Sequence, residues 1–422
     1  MRNTAPSITL PNDIPNIAPA VTTLNNGIKL YSVNTGTQDV AKVSLVFNAG
    51  TRHQQQKLVA SSTLNLMSEG TQKYSAQEVA EKFEFLGSSY EQFLDKDYAL
   101  LNVFSLTKYL NETLDILNSI VLTPTYKEAE LKTYASKRRQ LLKIERERVS
   151  HLARQEFLST IYGKEHPYGA YAIPEDYDAL QRDMLAEFHK KHFIANNCFA
   201  VATGKLSNQN IKDICSRLEQ IPIGEKAPGN FDYNYPIGQQ HLFFKKEDTV
   251  QSAIRYGKVL APKNHPDYAG LHVLSVILGG YMGSRLMQNI REEKGYTYGI
   301  FAALVSYEFA GHLSIGTEVG AGLSKATIAE ISKELEMLCT TKISQEELLM
   351  VKNYLSGEIL RGLDGPWAIA EVITENVQCG FTISYAKTLF DTLQSITPER
   401  LQQLAQTYFT PDSMTSIVVG IE

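Results

Sequence analysis

Histidines, cysteines and a run of cations are the places where this chain could do chemistry. His189 and His192 stand three residues apart with Glu187 close by, and His166 opens a His-Pro-Tyr-Gly segment. Imidazoles can hold a metal or exchange a proton near neutral pH, but none of these spacings is a recognised zinc-ligand pattern. Surface histidines, or histidines satisfied inside the fold, are therefore expected. Cys198, Cys215, Cys339 and Cys379 include no Cys-x-x-Cys pair, which argues against a thiolate zinc site and against a dense disulfide framework. Buried free thiols are the expectation. Lys137, Arg138, Arg139, Lys143, Arg146 and Arg148 are interleaved with or followed by Glu145, Glu147 and Glu156. On a helix Lys143 would meet Glu147, so this run is read as a solvated, self-paired face in preference to a partner-docking or nucleic-acid face.

The whole-chain balance agrees. The 41 basic and 46 acidic residues leave a formal net charge of -5, which offers no footprint for nucleic acid or an anionic membrane surface. The first twenty residues carry one arginine and four prolines without a continuous apolar run, so neither a signal peptide nor a membrane span is expected from them. The default compartment is cytoplasmic, or periplasmic if a signal upstream has been removed.

Elements that would position these residues follow a repeated order. Residues 28–33 and 40–47 have the β-branched and aromatic content of strands, with Asn25-Asn26-Gly27 and Asn34-Thr35-Gly36 as turns. Residues 58–67 are apolar at helical spacing, and residues 76–85 form a second helix started by Ser75 with Glu78 three residues on. A strand over 98–105, a helix over 107–122 and a long charged helix over 127–152 complete the first half. The second half repeats the grammar, with strands at 253–259 and 311–316 and helices at 268–278, 326–338 and 341–361. Each half ends alike, HFIANNCFAVATG at 192–204 and YFTPDSMTSIVVG at 408–420. Agreement in order and spacing over some two hundred residues predicts duplicated α/β domains.

The Pro/Gly/Asn-rich segment 221–240 is read as the linker. The expected organisation is an arm over 1–21, a first domain over 22–220 and a second over 241–422. Between these halves, the glycines of Gly279-Gly280-Tyr281-Met282-Gly283 are read as a flexible loop that lets them approach closely. The segment lacks the strand, turn and Gly-Lys-Ser/Thr of a phosphate loop.

Several segments, LVFNAGTRHQ, MSEGTQKYSAQEVAEKFEFLGS, TPTYKEAELK, HPYG and SRLMQNIREEKGYTYGIFA, occur in one order between residues 22 and 420. In that set the chain resembles the pitrilysin-like or insulinase-like zinc metallopeptidases, peptidase family M16, which include the mitochondrial processing peptidase and the core proteins of the cytochrome bc1 complex. The resemblance implies an α+β fold. It would consist of two homologous α/β sandwich domains of the LuxS/M16 type, with largely antiparallel mixed sheets packed against helices.

Active members of the family place His-x-x-Glu-His shortly before the Gly-Thr that is here Gly70-Thr71. The imidazoles hold zinc, and the Glu takes a proton from the metal-bound water. The matching positions here are Ser61, Leu64 and Asn65, so both ligands and the base are replaced. The family's third ligand, a Glu on the long helix, falls in the neighbourhood Lys137-Arg138-Arg139-Gln140-Leu141, whose cations would oppose a dication.

The family's second-half Arg and Tyr, seven positions apart, match Arg291 and Tyr298. With Gly295 as a helix stop, Arg291 is expected near a last helical turn and Tyr298 on a strand over 296–305. Such donors can hold a peptide carbonyl and its oxyanion. The resemblance thus implies the non-zinc subunit of a two-chain peptidase. No metal or cofactor would be held in this chain, and zinc would be carried by an M16-type partner in a heterodimer. Self-association in isolation is possible, and a peptide is the expected substrate. It would add to a sheet edge, for which residues 98–105 are the candidate strand. A non-catalytic structural or assembly protein of the same fold is the alternative.

Overall fold

The computed structural model describes residues 13–225, 240–381 and 384–421. Most of the expected arm and most of the expected linker lie outside those residues.

The first half forms a six-stranded sheet from β1 (Ala20–Thr23), β2 (Lys29–Asn34), β3 (Val40–Phe47), β4 (Ser89–Leu94), β5 (Ala99–Leu106) and β6 (Cys198–Gly204), in the order β1-β2-β6-β3-β5-β4. Pairing is antiparallel except between β2 and β6. β3 is buried along nearly its whole length, whereas β4 alternates exposed and half-buried residues, the signature of a strand with one wet face. Helices α1 (Val59–Leu66), α2 (Ala76–Phe85), α3 (Leu110–Leu122), α4 (Glu128–Glu145), α5 (Val149–Tyr162), α6 (Arg182–His192) and α7 (Asn208–Leu218) accompany it. Ser75 and Glu78 form the capping box expected of α2, each side chain bonded to the other's backbone N–H.

The second sheet contains β7 (His241–Lys245), β8 (Gln251–Leu260), β9 (Ile300–Ser306), β10 (Gly311–Gly320) and β11 (Thr415–Gly420), ordered β7-β11-β8-β10-β9. Its helices are α8 (Tyr268–Gly279), α9 (Ser324–Thr340), α10 (Gln345–Arg361), α11 (Gly365–Gln378), α12 (Tyr385–Ser395) and α13 (Pro398–Tyr408). The order matches β2-β6-β3-β5-β4, and the parallel pair β7/β11 matches β2/β6. Even the terminal glycines agree. Gly204 and Gly420 have φ of +122° and +150°, and a Cβ on either would lie 2.2 Å from the Val40 carbonyl oxygen or 2.4 Å from Ser252 Oγ. Only glycine fits both the backbone angle and the contact.

The long charged helix expected over 127–152 is broken after Glu145, and α5 starts again at Val149. The break redirects the chain. α5 lies on β8 and β11 of the second sheet, where Ala153, Phe157, Ile161 and Tyr162 pack with Ala253, Ile417 and Val419. Each large apolar side chain buried there contributes about 1.5–3 kcal/mol, more than a continued exposed helix would gain. The exchange is reciprocal, since α11 of the second half covers β6 and β3, with Ile369, Ala370 and Ile373 against Val201. Lys42, buried in β3, pairs with Glu371 of α11, and Trp367 meets Phe104 edge-on at 5.2 Å. The break also dissolves the expected Lys143/Glu147 pair, because Glu147, now past the end of α4, bonds Lys246 at 2.9 Å.

Candidate functional site

Ser61, Leu64 and Asn65 share α1, whose first residue follows Leu58 in a left-handed conformation, φ 72°. Ser61 Oγ donates to the Leu58 carbonyl at 3.1 Å, and Asn65 Nδ2 donates to the Ser61 carbonyl at 2.7 Å. Gln92 of β4 donates to Asn65 Oδ1 at 3.2 Å. Leu64 is 1% exposed and belongs to the core. From α4, the Tyr134 hydroxyl is buried against Ser61 and Ser62. One turn on, Arg138 bonds Tyr177. These groups do not fit a zinc ion. One position is apolar, the two polar ones are tied to backbone or to Gln92, and the neighbouring charge is a guanidinium. Among the described residues, no three His, Cys, Asp or Glu side chains are grouped to hold a metal.

Arg291 lies in a π-helical segment, Met287–Glu293. Gly295 ends it in a left-handed conformation, φ +66°, with the Tyr296 N–H bonded back to the Ile290 carbonyl at 3.0 Å. Single π turns recur at functional positions because they swing side chains out of helical register. Arg291 is half-buried, and its Nη1 meets Glu292 at 2.7 Å. Tyr298 is 95% exposed and sits ahead of β9, not on a strand from 296 as expected. Thr297 explains the late start. Its hydroxyl donates to the Glu318 carbonyl at 2.7 Å, lies 3.0 Å from the Gly299 carbonyl and accepts from the Gly299 N–H at 3.1 Å, holding 297–299 as a local turn.

Gly279, Gly280 and Gly283 serve the second half alone rather than bringing the halves together. Gly279 closes α8 against β9, where a Cβ would come within 2.5 Å of the Ala302 nitrogen, while Gly280 packs on Val276 and Gly283 on Tyr281. Among the described residues no hydrogen bond or ion pair joins the three α1 positions to Arg291 or Tyr298.

The proposed docking strand over 98–105 is internal. β5 is paired on both sides, and the edge strand is β4, with Phe93 57% exposed. The alternating Ser-Tyr-Glu-Gln-Phe-Leu of β4 was the available signal.

Sequence reasoning also missed what LVFNAGTRHQ and HPYG do together. Arg52 bonds Asp97 at 2.8 Å and Glu308, from the second half, at 2.5 Å, and it lies over the Phe309 ring at 4.7 Å. Tyr168 donates to Asp97 at 2.8 Å, and the Glu308 N–H donates to the other Asp97 oxygen at 2.8 Å. Burial pushes the acids of this knot upward, Asp95 to about 6, with Asp97 and Glu308 also raised. A buried Arg with a buried Asp requires partners for both, but nothing in the sequence marks Arg52 or Asp97 as buried, and Glu308 sits over two hundred residues away. Beside the knot is a cavity of about 270 Å³, lined in part by Arg52, Lys57, Ser61, Lys96 and Glu165.

The comparisons agree with this geometry. Residues 29–172 match the family described as insulinase (peptidase family M16), and residues 179–355 match the peptidase M16 inactive domain. A Bacillus subtilis protein named uncharacterized zinc protease YmxG is 24% identical over 402 residues, covering 94% of this chain and 97% of that one. A Rickettsia felis protein, also named an uncharacterized zinc protease, is 21% identical over 95% of this chain and 97% of its own. Among solved structures, a peptidase M16 inactive domain from Pseudomonas fluorescens superposes with a TM-score of 0.90 at 21% identity, over 96% of this chain and 99% of that one. A protease from Helicobacter pylori gives 0.86 at 19% identity, over 95% and 99%.

Proposed function

This chain belongs to peptidase family M16, and on that footing we propose that it is the non-zinc subunit of a two-chain peptidase. It holds a peptide and supplies Arg291 and Tyr298 to a partner that carries zinc. The observation that carries the reading is the contrast in availability. Ser61, Leu64 and Asn65 are spent on backbone, core and Gln92, whereas Tyr298 stands 95% exposed, seven positions after Arg291. A phenol and a guanidinium held on either side of Gly295 offer donors to a peptide carbonyl without any proton transfer of their own. Preorganised donors of that kind stabilise an oxyanion by about 2.7–4 kcal/mol each, roughly a hundred- to a thousandfold in rate. The peptide backbone would lie along β4, the open edge of the first sheet, whose unpaired N–H and C=O groups accept any sequence.

The test is turnover by this chain mixed with a zinc-bearing M16 chain from the same genome. Arg291→Ala and Tyr298→Phe should each lower the complex's rate by two orders of magnitude or more while leaving its assembly intact; undiminished turnover in both variants discards the role. One observation favours the structural alternative, the existing Arg291–Glu292 contact at 2.7 Å. If Glu292→Gln leaves turnover unchanged or raises it, that contact is not the function of Arg291.

A further inference from the structure

We infer that the face where zinc would have been held is an anion-receiving site, and that the peptides this chain holds are recognised through a carboxylate set beside Ser61. The inference rests on the peptide-holding reading above and adds the substrate class.

The charges around α1 are inverted relative to a metal site. Tyr134 of α4 touches Ser61 and Ser62, and Arg138, one turn further along the same helix face, projects its exposed side chain next to it. On the other side of Ser61, the cavity of about 270 Å³ is bordered by Lys57, exposed just before α1, and by Lys96. Lys96 Nζ donates to the Pro167 and Ala170 carbonyls at 3.1 and 3.2 Å. An ammonium has three N–H donors, so one remains for a ligand. Burial, with Arg154 behind it, brings Lys96 down to about 8, so it is still mostly cationic at neutral pH.

Besides Asp95, which accepts the Asp97 and Tyr98 N–H groups, and Glu156, which accepts from Tyr171 on the cavity wall at 3.0 Å, four acids lie in the neighbourhood. Glu165 borders the cavity and Glu145 acts on Arg138. Asp97 and Glu308 are committed to Arg52. Glu165 apart, the uncommitted charges at the cavity are the cations Lys57 and Lys96, on a wall that includes the neutral Ser61 hydroxyl, with Arg138 beyond Tyr134. A carboxylate there would gain charge-assisted hydrogen bonds about twice as strong as neutral ones, and a lysine- or arginine-rich peptide would be repelled. That selectivity would be a property of this chain alone, independent of any chemistry by a partner.

Calorimetry on the full chain tests it with three acetylated nine-residue peptides in which valine alternates with glutamate, glutamine or lysine, each with a free or an amidated C-terminus. The glutamate peptide should bind at least about tenfold more tightly than the glutamine one, and the lysine peptide least. The preference should collapse in Lys57→Glu/Arg138→Glu and, for the unaltered chain, between about 50 and 500 mM salt, where charge pairs are screened. A preference that follows the free terminus instead of the side chains would assign the same site to a C-terminal carboxylate. Equal affinity for all three peptides, a preference for lysine, a preference untouched by the double variant, or no binding of any peptide overturns the inference. Undiminished turnover in Arg291→Ala and Tyr298→Phe, by contrast, would overturn the catalytic role while leaving this site standing.

Discussion

Two arginine–tyrosine sets stand in opposite surroundings in this molecule. Arg52 and Tyr168 are 5% and 1% exposed, and their donors go to Asp97, Glu308 and Asn48 at 2.5–3.0 Å. Arg291 is half-buried with one neighbouring acid, and Tyr298 is 95% exposed. The side chains are the same, and the difference lies in what they can still bind. Buried and committed to these acids, the first grouping fastens a loop of the first half to the 307–310 turn of the second. The second grouping is tethered by a π turn and a left-handed glycine, contributes little to packing, and keeps its donors available.

Removing partners from each grouping should separate the two. Arg52→Ala leaves Asp97 and Glu308 buried without their cation, a loss of about 3–5 kcal/mol. Thermal denaturation should show a melting temperature lower by several degrees or an insoluble protein, and a change under 1 kcal/mol would mean that water reaches the knot. The same knot also responds to pH through Asp95. Its folded pKa is raised, to about 6, above the ordinary value, so the folded state binds that proton more tightly. Its contribution is most favourable at pH below about 4 and is lost as pH rises through 6. Asp95→Asn keeps an Oδ1 acceptor for the Asp97 and Tyr98 N–H groups and should add about 1–2 kcal/mol at pH 8. The gain should fade toward pH 4, as read from urea midpoints across that range.

Gly279→Ala probes the intermediate case of pure packing. The added Cβ within 2.5 Å of the Ala302 nitrogen should cost about 1–3 kcal/mol by displacing α8 from β9. At the small end, Tyr298→Ala should move stability by less than about 0.5 kcal/mol. A larger loss in the same melting experiment would make Tyr298 structural and blur the contrast with Tyr168.

Much of the molecule was legible in the chain because its signals are local. The Ser75/Glu78 box, the β-branched content of β3 and the paired endings at Gly204 and Gly420 depend on neighbours within a turn or a strand. The motif order pointed to the family, and the replaced residues at 61, 64 and 65 could be counted from Gly70. What misled were places where a distant contact outweighed local preference. The charged helix breaks after Glu145 so that Phe157 and Ile161 can bury on another sheet. The strand before Ile300 is delayed because Thr297 captures Glu318, and β5 is internal because β4 pairs outside it.

Residue type and spacing alone therefore determined the family and the two layered halves, since these depend on which atoms the side chains carry. Only the tertiary structure decided which arginine is bound up and which is available, which strand is an edge, and which helix covers which sheet. Those properties arise from burial and pairing between residues two hundred positions apart, and no local pattern encodes the free energy of a contact that the rest of the fold has to bring together.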